Sequence, residues 1–119
     1  MYSEKARELI RELPNRGRLA GATHTARAEN PVCGDITHLH LKLREDVVVD
    51  SRFETYGCPA AIAASAAVTQ MCRNLRSGEC REITAETILN FLGGLPSHKL
   101  HAVDLAVDVL RKALRSIEP

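Results

Sequence analysis

Cysteine and histidine are the residues of this chain best able to bind a soft metal or handle sulfur, and it carries four of the first and five of the second. Two of the cysteines occupy special backbone positions. Cys33 lies in Asn30-Pro31-Val32-Cys33-Gly34-Asp35. The proline stiffens this turn, and the glycine permits torsions that side-chain-bearing residues avoid. The thiol is thereby held on a tight loop close to the Asp35 carboxylate. Cys58 follows Tyr56-Gly57 and precedes Pro59, a residue suited to the first position of a helix. A helix N-terminus carries about +0.5 charge and favours thiolate, the form that binds metal and attacks sulfur. His101, just after Pro96 and Lys99 and near the start of the last predicted helix, is a third candidate. Each has a plainer reading as well. A lone cysteine is often a small buried hydrophobe, Cys58 could be a tolerated cap, and His101 shares a helix face with Asp104 and Asp108. Two cysteines each beside a glycine tilt the balance toward chemistry.

The remaining thiols and imidazoles carry weaker signals. Cys72 lies on the same predicted helix as Cys58, about 21 Å further along its axis at 1.5 Å per residue, so the two cannot share one ion while that helix is intact. Cys80 falls in the loop beyond, where it would be a bland or surface-reactive thiol. His38 and His40 share one face of a predicted strand, a spacing that can bind metal but more often marks an exposed polar face. His24 and His98 have no partner at a telling spacing. Gly93-Gly94 lacks the Gly-Lys-Ser/Thr of a phosphate loop, and Ser65 lacks the glycines that flank a hydrolase nucleophile.

The elements that must position these groups follow from periodicity. Ser3 caps a first helix with Ala6, Leu9, Ile10 and Leu13 at helical spacing, ended by Pro14. A short strand is predicted over Thr23 to Glu29. Leu39, Leu41 and Leu43 alternate with polar residues, Glu45-Asp46 forms a turn, and the β-branched run from Val47 continues toward Tyr56. From Pro59 the run AAIAASAAVTQMCRNL favours a helix, stopped at Ser77-Gly78. Thr84 begins another, stopped at Gly93-Gly94. In the last, Val103, Ala106, Val107, Leu110, Ala113, Leu114 and Ile117 form an apolar stripe, while Asp104, Asp108, Arg111, Lys112 and Arg115 face out. The expected fold is α+β: a mainly antiparallel sheet of three strands packed against four to five helices, as one domain over residues 1–119.

Composition narrows the function. Sixteen Lys+Arg against fifteen Asp+Glu leave a formal charge of +1, without the basic excess that nucleic-acid binding needs. Aromatic residues make up 3%, too few for base-stacking platforms. No segment approaches the ~20 apolar residues of a membrane span, and the N-terminal stretch lacks the apolar run of a signal peptide. A cytoplasmic location with reduced thiols is expected, so metal binding or reactivity outranks disulfide pairing as the role of the cysteines.

Asn30-Pro31-Val32-Cys33-Gly34-Asp35, then Tyr56-Gly57-Cys58 with its Ala/Ser-rich helix, then Leu95-Pro96-Ser97-His98-Lys99-Leu100-His101, resemble the IscU/NifU N-terminal family from about Tyr2 to Leu114. The resemblance implies an α+β scaffold, not an enzyme, that accepts sulfur from a cysteine desulfurase, assembles a transient 2Fe–2S cluster and passes it to acceptor proteins. By resemblance, Cys33, Asp35, Cys58 and His101 are the metal and cluster ligands, with Asp35 tied to cluster lability. Cys33 and Cys58 are candidate sulfur acceptors, and Lys99 is a supporting positive charge. Residues 95–99 match the family's chaperone-binding segment, though Ser97-His98 replaces its Pro-Val. A homodimer stays open.

Where the family has its third cysteine, directly after the histidine, this chain has Ala102, which offers neither ligand nor sulfur acceptor. Asp35 and His101 could complete the site, or a partner could supply a thiolate. The same donor set suits tetrahedral Zn²⁺. The competing readings are therefore a degenerate, zinc-binding regulatory module of the desulfurase system and a relay that carries persulfide on Cys33 or Cys58.

Overall fold

In the computed structural model, which describes residues 1–115, the Ser3 hydroxyl accepts the Ala6 amide at 3.0 Å and opens helix α1 (Glu4–Glu12). Then follow strands β1 (His24–Glu29), β2 (Ile36–Arg44) and β3 (Val47–Tyr56), helices α2 (Pro59–Cys72), α3 (Ser77–Arg81) and α4 (Ala85–Leu92), a 3-10 turn (Ser97–Lys99) and helix α5 (His101–Arg115). The strands form one antiparallel sheet in the order β1-β2-β3, giving the α+β fold that the periodicity predicts. The alternating leucines put Leu39 and Leu41 on the covered face, with Ala28 and Phe53 from the flanking strands. α2 packs on β3 and α5 on β1. α2 lies at the centre of the molecule. Its six alanines from Ala60 to Ala67 are all buried, so sheet and helices close around its backbone. Among the described residues no helix is long and apolar enough to cross a membrane.

The hairpin joining β2 to β3 turns on Glu45 and Asp46, at φ 52° and 66°. Two left-handed residues match the twist of the strands; Asp46 is of a type that tolerates this conformation, whereas Glu45 costs roughly 1–2 kcal/mol. Tertiary contacts hold the turn: the Ser77 hydroxyl donates to Asp46 Oδ1 at 2.5 Å, and the Ser77 amide to the Asp46 carbonyl at 3.1 Å.

Those same contacts correct the sequence reading nearby. α2 ends at Cys72 because Arg73 turns out to donate to Asp50 Oδ1 (2.7 Å) and the Ser51 carbonyl (2.9 Å), while Asn74 and Leu75 bond to Val48. Ser77-Gly78 starts a helix and does not end one. Cys80 consequently sits inside α3 with no exposure, facing Cys72; it is neither in a loop nor surface-reactive. Arg111 is half-buried and does not face out, because its Nη2 donates to the Ile83 carbonyl at 2.8 Å. The rest of the α5 stripe lies as expected, with Ala102, Leu105 and Val109 added to it; Ile117 is outside the described residues.

His24 is 4% exposed, with Nδ1 beside the Thr23 hydroxyl at 2.5 Å and Nε2 buried without a partner. Burial, and then the Arg81 charge, hold its pKa below the ordinary 6.5, against a smaller opposing pull from Asp46. A base with a depressed folded-state pKa is protonated first in the unfolded chain, so stability present above that ordinary value is lost as the pH falls below it. Thermal melts at decreasing pH should show a fall of at most about 1.4 kcal/mol per pH unit, flattened in His24→Gln. An equally steep fall in that variant would assign the effect to another group.

Candidate metal centre

Three segments far apart in the chain supply the site. The first is the β1–β2 loop. Asn30 Oδ1 accepts the Val32 amide at 2.9 Å, the Asn30 carbonyl accepts the Gly34 amide at 2.7 Å, and Gly34 takes φ +76°. This tight turn leaves Cys33 exposed at its tip and sends Asp35 inward, 5% exposed. The second segment is the start of α2. Cys58 is the N-cap, Pro59 follows it, and the Cys58 carbonyl accepts the Ala61 and Ile62 amides at 3.0 and 3.2 Å. The third is the start of α5, where the 3-10 turn hands the chain to His101.

Asp35 joins them. It accepts the Cys58 amide at Oδ1 (3.2 Å) and the Cys58 thiol at Oδ2 (3.3 Å), and His101 Nε2 lies 3.8 Å from Oδ2. Cys33 Sγ, an Asp35 carboxylate oxygen and a His101 ring nitrogen all lie within 4.8 Å of one another. Cys58 reaches this group through Asp35. His101 Nε2 is shielded from solvent and has no hydrogen-bond partner, a polar atom whose exposure to a metal would relieve the cost of burying it. One sulfur, a carboxylate and an imidazole around one point, with a second sulfur bonded to that carboxylate, form a donor set suited to iron–sulfur or zinc chemistry.

Over residues 1–118 the sequence matches the NifU-like N terminal domain. The chain belongs to that family. It is 37% identical over 114 residues to the iron-sulfur cluster assembly scaffold protein IscU 1 of Archaeoglobus fulgidus, covering 96% of this chain and 74% of that protein. It is 34% identical over 121 residues to the nitrogen fixation protein NifU of Trichormus azollae, covering 95% of this chain and 40% of that longer protein. The crystal structure of the N-terminal part of a NifU-like protein from Brucella abortus shares the fold, with a TM-score of 0.80 at 18% identity over 98% of this chain and 93% of that one.

In this NifU-like domain Ala102 is 1% exposed and contributes only a methyl group beside His101. Lys99 is half-buried, and its charge favours the Cys58 thiolate. That help and the helix N-terminus do not win. Burial, first, and then the hydrogen bond and negative charge of Asp35 push the Cys58 thiol above its ordinary range, against the pull of the Ala61 amide. The thiolate expected at this cap from the helix charge is therefore disfavoured, because burial and the Asp35 carboxylate outweigh the helix N-terminus and Lys99. Cys72 is also held up, by its hydrogen bond with Cys80 and by burial. Alkylation followed by mass spectrometry should label exposed Cys33 first, Cys58 more slowly, and Cys72 and Cys80 only on unfolding. Labelling of Cys80 at the rate of Cys33 would contradict this order.

His24, His38, His40 and His98 stay out of the site. His40 instead pairs with Glu54 at 3.0 Å. The residue that sequence reasoning underused is Gly57. A Cβ there would lie 2.3 Å from Asp35 Oδ1 and 2.5 Å from its Cγ, so only glycine leaves room for the carboxylate. Its place directly before Cys58 was the available signal.

Proposed function

We propose that this NifU-like domain is a scaffold on which a labile 2Fe–2S cluster is assembled from sulfur supplied by a cysteine desulfurase, and from which it passes to acceptor proteins. The observation that carries this reading is the convergence of Cys33, Asp35 and His101 within 4.8 Å, with Cys58 bonded to the same carboxylate. The cluster is cargo. Cys33 and Cys58 would hold iron through soft thiolates, His101 through nitrogen, and Asp35 through a hard, weaker oxygen. A mixed ligand set releases cargo more readily than four thiolates would. Ala102 removes one sulfur and pushes further toward release. Lys99 would steady the Cys58 thiolate.

Partners must reach this site, and its surroundings suit them. Val32 is 94%, Tyr56 61% and Leu100 40% exposed, each close in sequence to a ligand candidate. Apolar side chains around a polar centre mark a protein-docking surface. Ser97 and His98, exposed in the 3-10 turn, would be the point of chaperone contact.

Anaerobic reconstitution with ferric iron and sulfide, read by absorbance and iron analysis, tests the proposal. Cluster at about one 2Fe–2S unit per one or two chains supports it, and no cluster even with a desulfurase present would end it. The donor set also accepts Zn²⁺, but the roles named for the relatives favour the scaffold over a zinc-holding regulatory module. Native mass spectrometry showing tight Zn²⁺ and no cluster would reverse that preference. Asp35→Ala should lengthen the lifetime of the assembled cluster, by about tenfold on the scale of changes around metal ligands. A shorter lifetime would contradict the releasing role of the carboxylate.

A further inference from the structure

Ser65 lies on α2 among buried alanines and is itself buried. Its hydroxyl meets two others. The Thr55 hydroxyl donates to Ser65 Oγ at 2.8 Å, and the Ser65 hydroxyl donates to the Ala61 carbonyl at 2.8 Å. Thr37 Oγ1 lies 2.7 Å from Thr55 Oγ1 and 3.1 Å from Ser65 Oγ. Each hydroxyl carries one proton. With those of Thr55 and Ser65 engaged, Thr37 is the donor in its own contacts. The three protons then run in one direction, from Thr37 through Thr55 and Ser65 to the Ala61 carbonyl. Thr37 is 1% exposed, in the row of β2 that otherwise buries Leu39 and Leu41.

Each hydroxyl sits one step inward from a residue of the metal centre. Thr37 comes two residues after Asp35, the spacing that returns extended chain to the same side, and both are buried. Thr55 comes two residues before Gly57. Ser65 comes seven residues after Cys58, two turns along the same face of α2. Thr37 and Thr55 are partners in the β2–β3 register, and Ile36 and Tyr56 are the next pair. Continuing by one residue sets Asp35 opposite Gly57, where a Cβ would meet the carboxylate.

Apolar side chains would fill this layer without fixing its spacing. Hydrogen bonds are directional and hold it to a narrow range of distances. The spacing matters at Asp35, whose bond from the Cys58 amide is already long at 3.2 Å, so a small shift of α2 against β2 breaks it. We infer, on the scaffold function proposed above, that Thr37, Thr55 and Ser65 are positioning residues for the metal centre. Their hydroxyl chain sets the distance between α2 and the sheet, and so keeps the Asp35 carboxylate on the Cys58 amide and thiol.

Alkylation of the metal-free chain at fixed pH, read by mass spectrometry, tests this role. Thr37→Val keeps the side-chain shape and removes the hydroxyl, Thr37→Ser keeps the hydroxyl, and Ser65→Ala cuts the chain at the helix. Cys58 should react several-fold faster in Thr37→Val and Ser65→Ala, because a displaced carboxylate neither binds nor covers its thiol. Thr37→Ser should return toward the unmodified rate. Exposed Cys33 should keep its rate, and Cys72, buried at the far end of the same helix, should stay unlabelled. After reconstitution the cluster should last longer in Thr37→Val and Ser65→Ala, as in Asp35→Ala. An unchanged Cys58 rate in both variants, Thr37→Ser as fast as Thr37→Val, or a rise at Cys58 matched at Cys72 would overturn the positioning role. Absence of cluster in the unmodified chain would instead end the scaffold proposal, and the metal-free labelling would still decide what the hydroxyls do.

Discussion

Cys33→Ser is expected to cut the cluster retained after reconstitution by about a hundredfold, the upper end of effects seen when only the surroundings of a metal ligand are altered. A serine hydroxyl stays protonated near neutral pH and is a hard oxygen donor, so it replaces neither the charge nor the softness of the thiolate. Cys33 is exposed at the tip of its loop, so stability should change by less than about 0.5 kcal/mol, and the loss can be read as loss of a ligand. Cys58→Ser should lose cluster to a similar degree, yet make the fold more stable. Cys58 caps α2 without a side-chain hydrogen bond, and serine is among the best N-cap residues, worth about 1 kcal/mol over a non-capping side chain. A variant that melts higher and binds less separates ligation from folding. Full cluster retention in both variants would move the site elsewhere.

Gly57→Ala should disrupt the centre without removing any candidate ligand. The new methyl would stand 2.3 Å from Asp35 Oδ1 and 2.8 Å from its Cβ, closer than non-bonded atoms approach. The close atoms belong to a short side chain that is 5% exposed, with little freedom to swing aside. Either the carboxylate leaves, giving up its bonds to the Cys58 amide and thiol, or the β1–β2 loop shifts and carries Cys33 with it. Leaving a buried charged group without its partners costs about 1–3 kcal/mol, or several degrees of melting temperature for a domain of this size. Iron–sulfur retention should fall if the loop moves. If only the carboxylate leaves, the cluster should persist longer, as in Asp35→Ala. An alanine variant equal to the unmodified protein in melting temperature, cluster yield and cluster lifetime would show that this contact does not shape the site.

Much of the architecture was readable from local pattern. Ser3 and Thr84 announced their helices because capping depends on a hydroxyl and an amide three residues away. Leu39 to Leu43 announced a strand because burying one face of a sheet imposes a period of two. The Cys33 and Cys58 turns were legible for the same reason: proline and glycine constrain backbone over a few residues. Where the pattern misled, a distant partner had intervened. Arg73 and Asn74 left the helix that the run from Ala60 favours because β3 offered better bonds. Cys80 was hidden because α3 folds back against the end of α2.

The amino-acid order by itself determined which groups could bind metal and the turns that present them, since those depend on short-range geometry. Only the tertiary structure decided that Asp35 contacts Cys58, that Gly57 makes way for it, that His101 is left with an orphaned nitrogen, and that the Cys58 thiol is raised. Burial and charge at those atoms come from neighbours more than twenty residues away in sequence, which no local pattern encodes.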